Sequence, residues 1–189
     1  PIPTLDDYPD ATDYLERVGL IRRERGNWHF FHQTLLDYCY ARRFVAQGRS
    51  LSREVLSSAQ GLFERSQIVQ VLAHLRGTSE AEYHREWSGL LFDGRLRVHL
   101  RLLVIGWFGS LPHPTVEELR VARQLLNSPD TRIHFLRAVS GNEGWFNLLN
   151  EEVVPALLRS DDEGLLDTVV NYLHTLIQRR TAAVLSSEP

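Results

Sequence analysis

The side chains able to do chemistry are scattered along the chain. Eight histidines stand at 29, 32, 74, 84, 99, 113, 134 and 174. They form no H-E-x-x-H motif and no pair at helical spacing joined to a carboxylate. A closed zinc site needs four convergent ligands, so no metal site is expected. His29 and His32 are three apart, but one falls in a strand-prone run and the other at a helix start, so they are not expected to share a face. Cys39 could act as a nucleophile only beside a base in an electropositive setting; its place in the spacing Leu35, Leu36, Cys39, Tyr40 reads as a buried packing cysteine. Asp161-Asp162-Glu163 precedes an apolar helical run, where acids complement the helix dipole, so the cluster reads as a cap. Gly106, Gly109, Gly141 and Gly144 lack the strand before and helix after that a dinucleotide loop requires, and read as helix breaks or close-packing points. No catalytic residue emerges, and the chain by itself is not expected to be an enzyme.

All 21 basic residues are Arg and none is Lys, so a G-x-x-x-x-G-K-[ST] phosphate loop cannot exist in this chain. Arg22, Arg23 and Arg25 crowd one short segment, Arg42 and Arg43 follow, and Arg95, Arg97 and Arg101 form a second group. Phosphate contact is one reading, as when a winged helix sets its wing against a DNA backbone. The opposite reading, that these arginines solvate a surface or pair with acids such as Glu24 and Asp37, agrees better with a net charge of -3 and a pI near 6.3. Nucleic acid is therefore not the expected partner.

These residues need elements to hold them. Residues 1–10 carry three prolines and no helical period and read as a linker. Thr12 can cap a short helix with Tyr14, Leu15 and Val18, stopped by Gly19. Leu20–Glu24 and Trp28–Phe31 flank Arg25-Gly26-Asn27, which predicts a β-hairpin. From His32 the period changes to three and four, through Leu35, Leu36, Cys39, Tyr40, Phe44 and Val45, and a helix is expected to end near Gly48. Further helices are predicted over 51–59, 62–76 closed by Gly77, 79–92, 95–108, 115–126, 131–139, 151–159 and 163–179. Residues 181–189 read as a frayed tail. With 43% hydrophobic residues in 189 the chain is long enough for a substantial core. The expected organisation is 1–48, a partial winged helix with one hairpin, and 49–180, a mainly α, repeat-like array of the HEAT or tetratricopeptide kind or an irregular bundle. Trp87, Trp107, Trp145 and Phe146 fit core positions better than a binding face.

One cysteine excludes an internal disulfide framework and points to a reducing compartment, with the cytoplasm as the default. The longest apolar stretch, Leu102–Gly109, is far short of the roughly 18–20 residues that span a bilayer. The absence of Met and the opening Pro1-Ile2-Pro3 suggest a piece of a longer chain.

Residues 19–44 resemble the end of the winged-helix domain in STAND signalling NTPases of the NACHT kind. Those proteins show a G-L-[LIV] opening, a hairpin, and a pattern close to F-x-H-x-[ST]-[FL]-x-[ED]-[FY]-x-A. Here Gly19, Leu20 and Ile21 meet the opening, and Phe30, His32, Thr34, Leu35, Asp37 and Tyr38 meet the pattern, with Ala41 one position late. The chain departs from the family at Asp37, where Glu is usual, and at the displaced alanine. The resemblance implies a nucleotide-gated switch: an upstream NTPase module binds ADP or ATP with Mg, and the winged helix folds over it in the resting form. It implies that His32 contacts the ADP phosphates and that the following helices sense a protein or ligand. Family roles lie in innate immunity, antiphage and antiviral defence and transcriptional regulation. An imidazole at a helix N-terminus stands beside amides that favour anions; the alternative is that His32 only bridges the strand–helix junction. Two rival readings are a stand-alone helical scaffold that binds a protein and a winged-helix DNA-binding regulator.

Overall fold

The computed structural model describes residues 5–61, 64–151 and 153–186. It is mainly helical, with one antiparallel hairpin followed by an array of helices. The chain divides into two compact units, 1–87 and 88–189, and the division falls within one helix.

In the first unit a 3-10 turn, Leu5–Asp7, leads into α1, Pro9–Arg17. The helix starts earlier than Thr12 because Pro9 supplies a preset first helical residue. Thr12 is buried, and its hydroxyl donates to the carbonyls of Tyr8 and Leu5 at 2.8 and 2.7 Å instead of capping. Gly19, at φ 74°, ends the helix as expected: its amide reaches Glu16 O and that of Leu20 reaches Leu15 O, the paired bonds of a Schellman motif. Strands β1, Ile21–Glu24, and β2, Asn27–Phe30, pair antiparallel. Arg25 and Gly26 make a two-residue turn with φ of 49° and 83°, the left-handed pair that matches strand twist.

Helix α2, Gln33–Ala46, follows and packs on α4, Glu64–Thr78. Its buried stripe is Asp37, Ala41 and Phe44, spaced four and three. That stripe corrects the reading of Cys39: two residues on from Asp37 it turns away from the core, and its thiol is exposed. Gly48, at φ 64°, ends α2 where expected. Helix α3, Leu51–Ser57, is capped by Ser50, whose hydroxyl accepts from Arg53 N. Gly77 does not close α4, which continues through it to Thr78. The predicted start of that helix, Leu62 and Phe63, lies outside the described residues.

Helix α5, Glu80–Leu91, contributes Tyr83 and Trp87 to the buried set of the first unit. The second unit holds α6, Val98–Gly109, α7, Val116–Asn127, α8, Pro129–Ala138, α9, Glu143–Leu149, α10, Val153–Leu157, and α11, Glu163–Ser186. Helix α8 packs against α6, α7 and α11. Phe108, Phe135 and Trp145, fully buried, form an aromatic cluster with centroids 4.9–5.8 Å apart. Each such side chain stabilises the fold by roughly 3 kcal/mol. Trp87 and Trp145 are thus core, as expected.

Two differences from the sequence reading stand out in this unit. Helix α9 was not expected between Gly141 and Glu151. It forms because Asn142 caps it, its side-chain oxygen accepting from the amides of Gly144 and Trp145. Helix α11 runs past Arg179 to Ser186, through a part of the expected tail; residues 187–189 lie outside the described residues. The acidic cluster before α11 does cap it: Asp162 accepts from the Leu165 amide at 3.1 Å.

Candidate functional site

The hairpin has two unlike faces, because cross-strand partners share a side. One face carries Ile21 opposite Phe30 and Arg23 opposite Trp28. Ile21 is buried, Trp28 and Phe30 half so. The Trp28 indole donates to Asp6 at 3.1 Å, Arg23 stands 3.8 Å from the same carboxylate, and its guanidinium lies 5.3 Å over the Trp28 ring. The other face carries Arg22 opposite His29 and Glu24 opposite Asn27, all exposed. At its base the Phe31 amide donates to Leu20 O at 3.0 Å, which extends the pairing by one step. Leu20 and Phe31 leave 36% and 57% of their surface open.

His32 comes next, at the N-cap of α2 in extended conformation. Its carbonyl accepts from Leu35 and Leu36, so its backbone starts the helix. Its imidazole is exposed and makes no capping hydrogen bond; the Phe31 ring meets it edge-on at 4.8 Å. The arrangement is therefore an open imidazole at the positive end of a 14-residue helix, beside two exposed apolar side chains. It suits contact with an anion. One turn on, buried Asp37 accepts from Gln33 at 2.9 Å, not from an arginine.

The arginine groups are largely engaged within the chain. Arg22 pairs with Glu24 at 3.3 Å, and Arg42 lies over Tyr38. Arg49 pairs with Glu54. Arg95 pairs with Asp93 at 2.8 Å, and Arg101 donates to the Asp93 carbonyl at 3.1 Å. Residues 1–50 hold seven arginines against seven carboxylates, so the hairpin region is neutral.

A second concave feature lies wholly in the second unit. A cleft of about 590 Å³ is bounded by Gly109, Pro112, Ala138, Gly141, Gly144 and Arg179, among others. Its walls meet because two glycines let neighbouring segments approach closely. A Cβ on Gly109 would stand 2.6 Å from Ala138 Cβ, and one on Gly144 2.1 Å from Pro112 O. These two are the close-packing points expected; Gly106 is neither a break nor a contact, being exposed within α6. Asn142 donates to Gly109 O and Leu111 O, and Arg179 to Gly141 O at 2.9 Å. Both polar groups thus serve to hold the cleft's own backbone.

Sequence reasoning missed Glu86. It is 2% exposed, and one oxygen accepts from the Ser50 hydroxyl and from the amide and hydroxyl of Ser52 at 2.8–3.1 Å. The signal was present: Glu86 sits on the α5 stripe between Tyr83 and Trp87, where a carboxylate needs buried donors. Among the described residues no group of three or more His, Cys, Asp and Glu could hold a metal ion, and no helix is long and apolar enough to cross a membrane. No protein-family model, curated protein or solved structure matches the chain.

Proposed function

We propose that this chain is a regulatory, non-catalytic piece of a cytoplasmic STAND NTPase of the NACHT kind, acting as part of a nucleotide-gated switch in defence or regulation. The observation that supports the reading is the exposed imidazole of His32 at the start of α2, directly after the hairpin. In this reading the phosphates of ADP, with Mg, are held by an NTPase module elsewhere in the parent protein, and His32 adds a contact in the closed state. Leu20 and Phe31, open beside it, give that module an apolar surface to meet. The helices that follow sense a protein or ligand, and binding there shifts the population toward the open form. The chain needs no catalytic group of its own for this.

Reading the coding sequence upstream of Pro1 tests the proposal. A phosphate loop within a few hundred codons, in the same frame, is the expected result. A frame that starts at Pro1 would sink it and leave the second reading, a stand-alone helical scaffold. That reading draws on the open apolar side chains of α11, Val170 and Ile177.

A further inference from the structure

Helix α11 buries the row Leu165, Val169, Tyr172 and Leu176 and leaves Val170 and Ile177 of a second apolar row open. On the opposite flank of the buried row, at helical spacings of three, four and four, runs a polar stripe of Thr168, Asn171, Thr175 and Arg179. Its two threonine hydroxyls are spent on their own helix, donating to Gly164 O and Asn171 O at 2.9 and 2.8 Å. Thr168 and Asn171 border a hollow of about 260 Å³ against the end of α8, whose other walls are Leu136, Arg137, Ser140 and Tyr172. Ser140 also lines the adjoining glycine-walled cleft, where Arg179 lies over Gly141.

The polar groups around this hollow are left over by the fold. The Tyr172 hydroxyl is buried with no hydrogen-bond partner among the described residues. The Arg137 guanidinium, the Ser140 hydroxyl and the Asn171 amide have none among them either. Arg179 gives one N–H to Gly141 O at 2.9 Å and pairs with no described carboxylate. Elsewhere in the unit Arg95, Arg120 and Arg132 are matched by Asp93, Glu117 and Asp162. No carboxylate lines the hollow, and Glu143, which lines the cleft, is engaged within the chain.

Donors therefore outnumber acceptors here, and a buried phenol beside two unmatched arginines calls for an anion with several oxygens. A phosphate monoester carries a charge of about -1.5 to -2 near pH 7 and three acceptor oxygens. That matches two guanidinium groups, where a carboxylate brings one charge and two oxygens. The size agrees, since at about 30 Å³ per water the hollow has room for a phosphate group and a short carbon chain. We infer that the hollow between α8 and α11 binds a small phosphate monoester, held by Arg137, Ser140, Asn171 and Tyr172, with Arg179 adding the second positive charge from the cleft side. The site lies in the second unit and His32 in the first, so the two readings stand or fall separately.

Titrating the isotopically labelled full chain with glycerol phosphate at low salt, followed by amide NMR, tests it. The expected result is saturable shifts centred on residues 137–141 and 168–179, with a dissociation constant of about a millimolar or below. Arg137→Gln should weaken binding about tenfold, the loss of one charge-assisted hydrogen bond, and Tyr172→Phe a few-fold, both with the parent's circular dichroism. Arg159→Gln removes the same charge from an exposed arginine outside the hollow and should leave binding unchanged. No saturable shift, shifts centred elsewhere, or equal weakening by Arg137→Gln and Arg159→Gln would overturn the assignment. So would a phosphoserine peptide that binds here where glycerol phosphate does not, which marks a protein partner instead.

Discussion

At the scale of single residues, two buried polar groups set the clearest expectations. Glu86 holds the start of α3 by accepting three donors from Ser50 and Ser52. Removing it leaves those groups and the first turn of a seven-residue helix without their acceptor. Glu86→Ala should cost about 3 kcal/mol in urea unfolding and Glu86→Gln about 1; an alanine variant as stable as the parent would show that water replaces the carboxylate. Tyr172 is the converse case, since its hydroxyl is buried with no hydrogen-bond partner among the described residues. Burial pushes its phenol well above the usual tyrosine range. Because the folded form holds the proton more tightly than the unfolded chain, stability from this group is full below pH 10 and falls as pH rises beyond it. Tyr172→Phe should therefore resist alkaline unfolding better than the parent, as followed by tryptophan fluorescence above pH 10. His32 was legible in the sequence as a residue at a helix start, because the change from alternation to a three–four period marks that boundary. Cys39 was misread because the local list of apolar residues is broad, and only packing against α4 selects which stripe of α2 is buried. Glu86 was missed because its donors come from a segment 34 to 36 residues earlier.

At the scale of elements, the loops decide. Asp93 opens the turn between α5 and α6, and its hydrogen bonds with the Arg95 side chain and amide hold its carboxyl down to about 2. With the folded value below the unfolded one, the turn's contribution is full above about pH 4 and is lost as pH falls toward 2. Asp93→Asn should lower the melting temperature at pH 7 and have a much smaller effect near pH 2; an equal effect at both would assign it to something other than the charge. In the glycine-walled cleft, Gly144→Ala would push a methyl against the Pro112 carbonyl and should destabilise by about 3 kcal/mol, with the near-ultraviolet signal of buried Trp145 altered as the reporter. The hairpin and most helices were legible, since glycine turns, proline breaks and period three–four are local signals. Helix α9 was not, because seven residues give too short a window for periodicity and its cap is an Asn whose amide also bonds two carbonyls from residues 109 and 111. The start of α1 shifted for a similar reason: Thr12 reads as a cap, but its hydroxyl bonds backward to the turn before it.

At the scale of the molecule, the sequence predicts a helical array after a hairpin, and that is the architecture observed. Local signals were enough for this, because Gly19, Gly48 and Gly141 stand at helix ends or between helices and Pro112, Pro114 and Pro129 lie between helical runs or at the start of one. The proposed function rests on the resemblance of residues 19–44 alone, since the helices beyond them carry packing side chains whose surface role depends on partners. The outer row of α11 could be seen in the sequence as apolar, yet only the fold shows which of its two rows the unit buries. The central claim is that His32 reads the phosphates of a nucleotide bound elsewhere in the parent protein. The most direct measurement purifies that full-length protein and its His32→Ala variant and follows release of co-purified ADP by chromatography. The account predicts that ADP stays with the parent and leaves the variant about tenfold faster, a loss of about 1.4 kcal/mol typical of one charge-assisted hydrogen bond. ADP held equally by both, or absent from the parent, would contradict it.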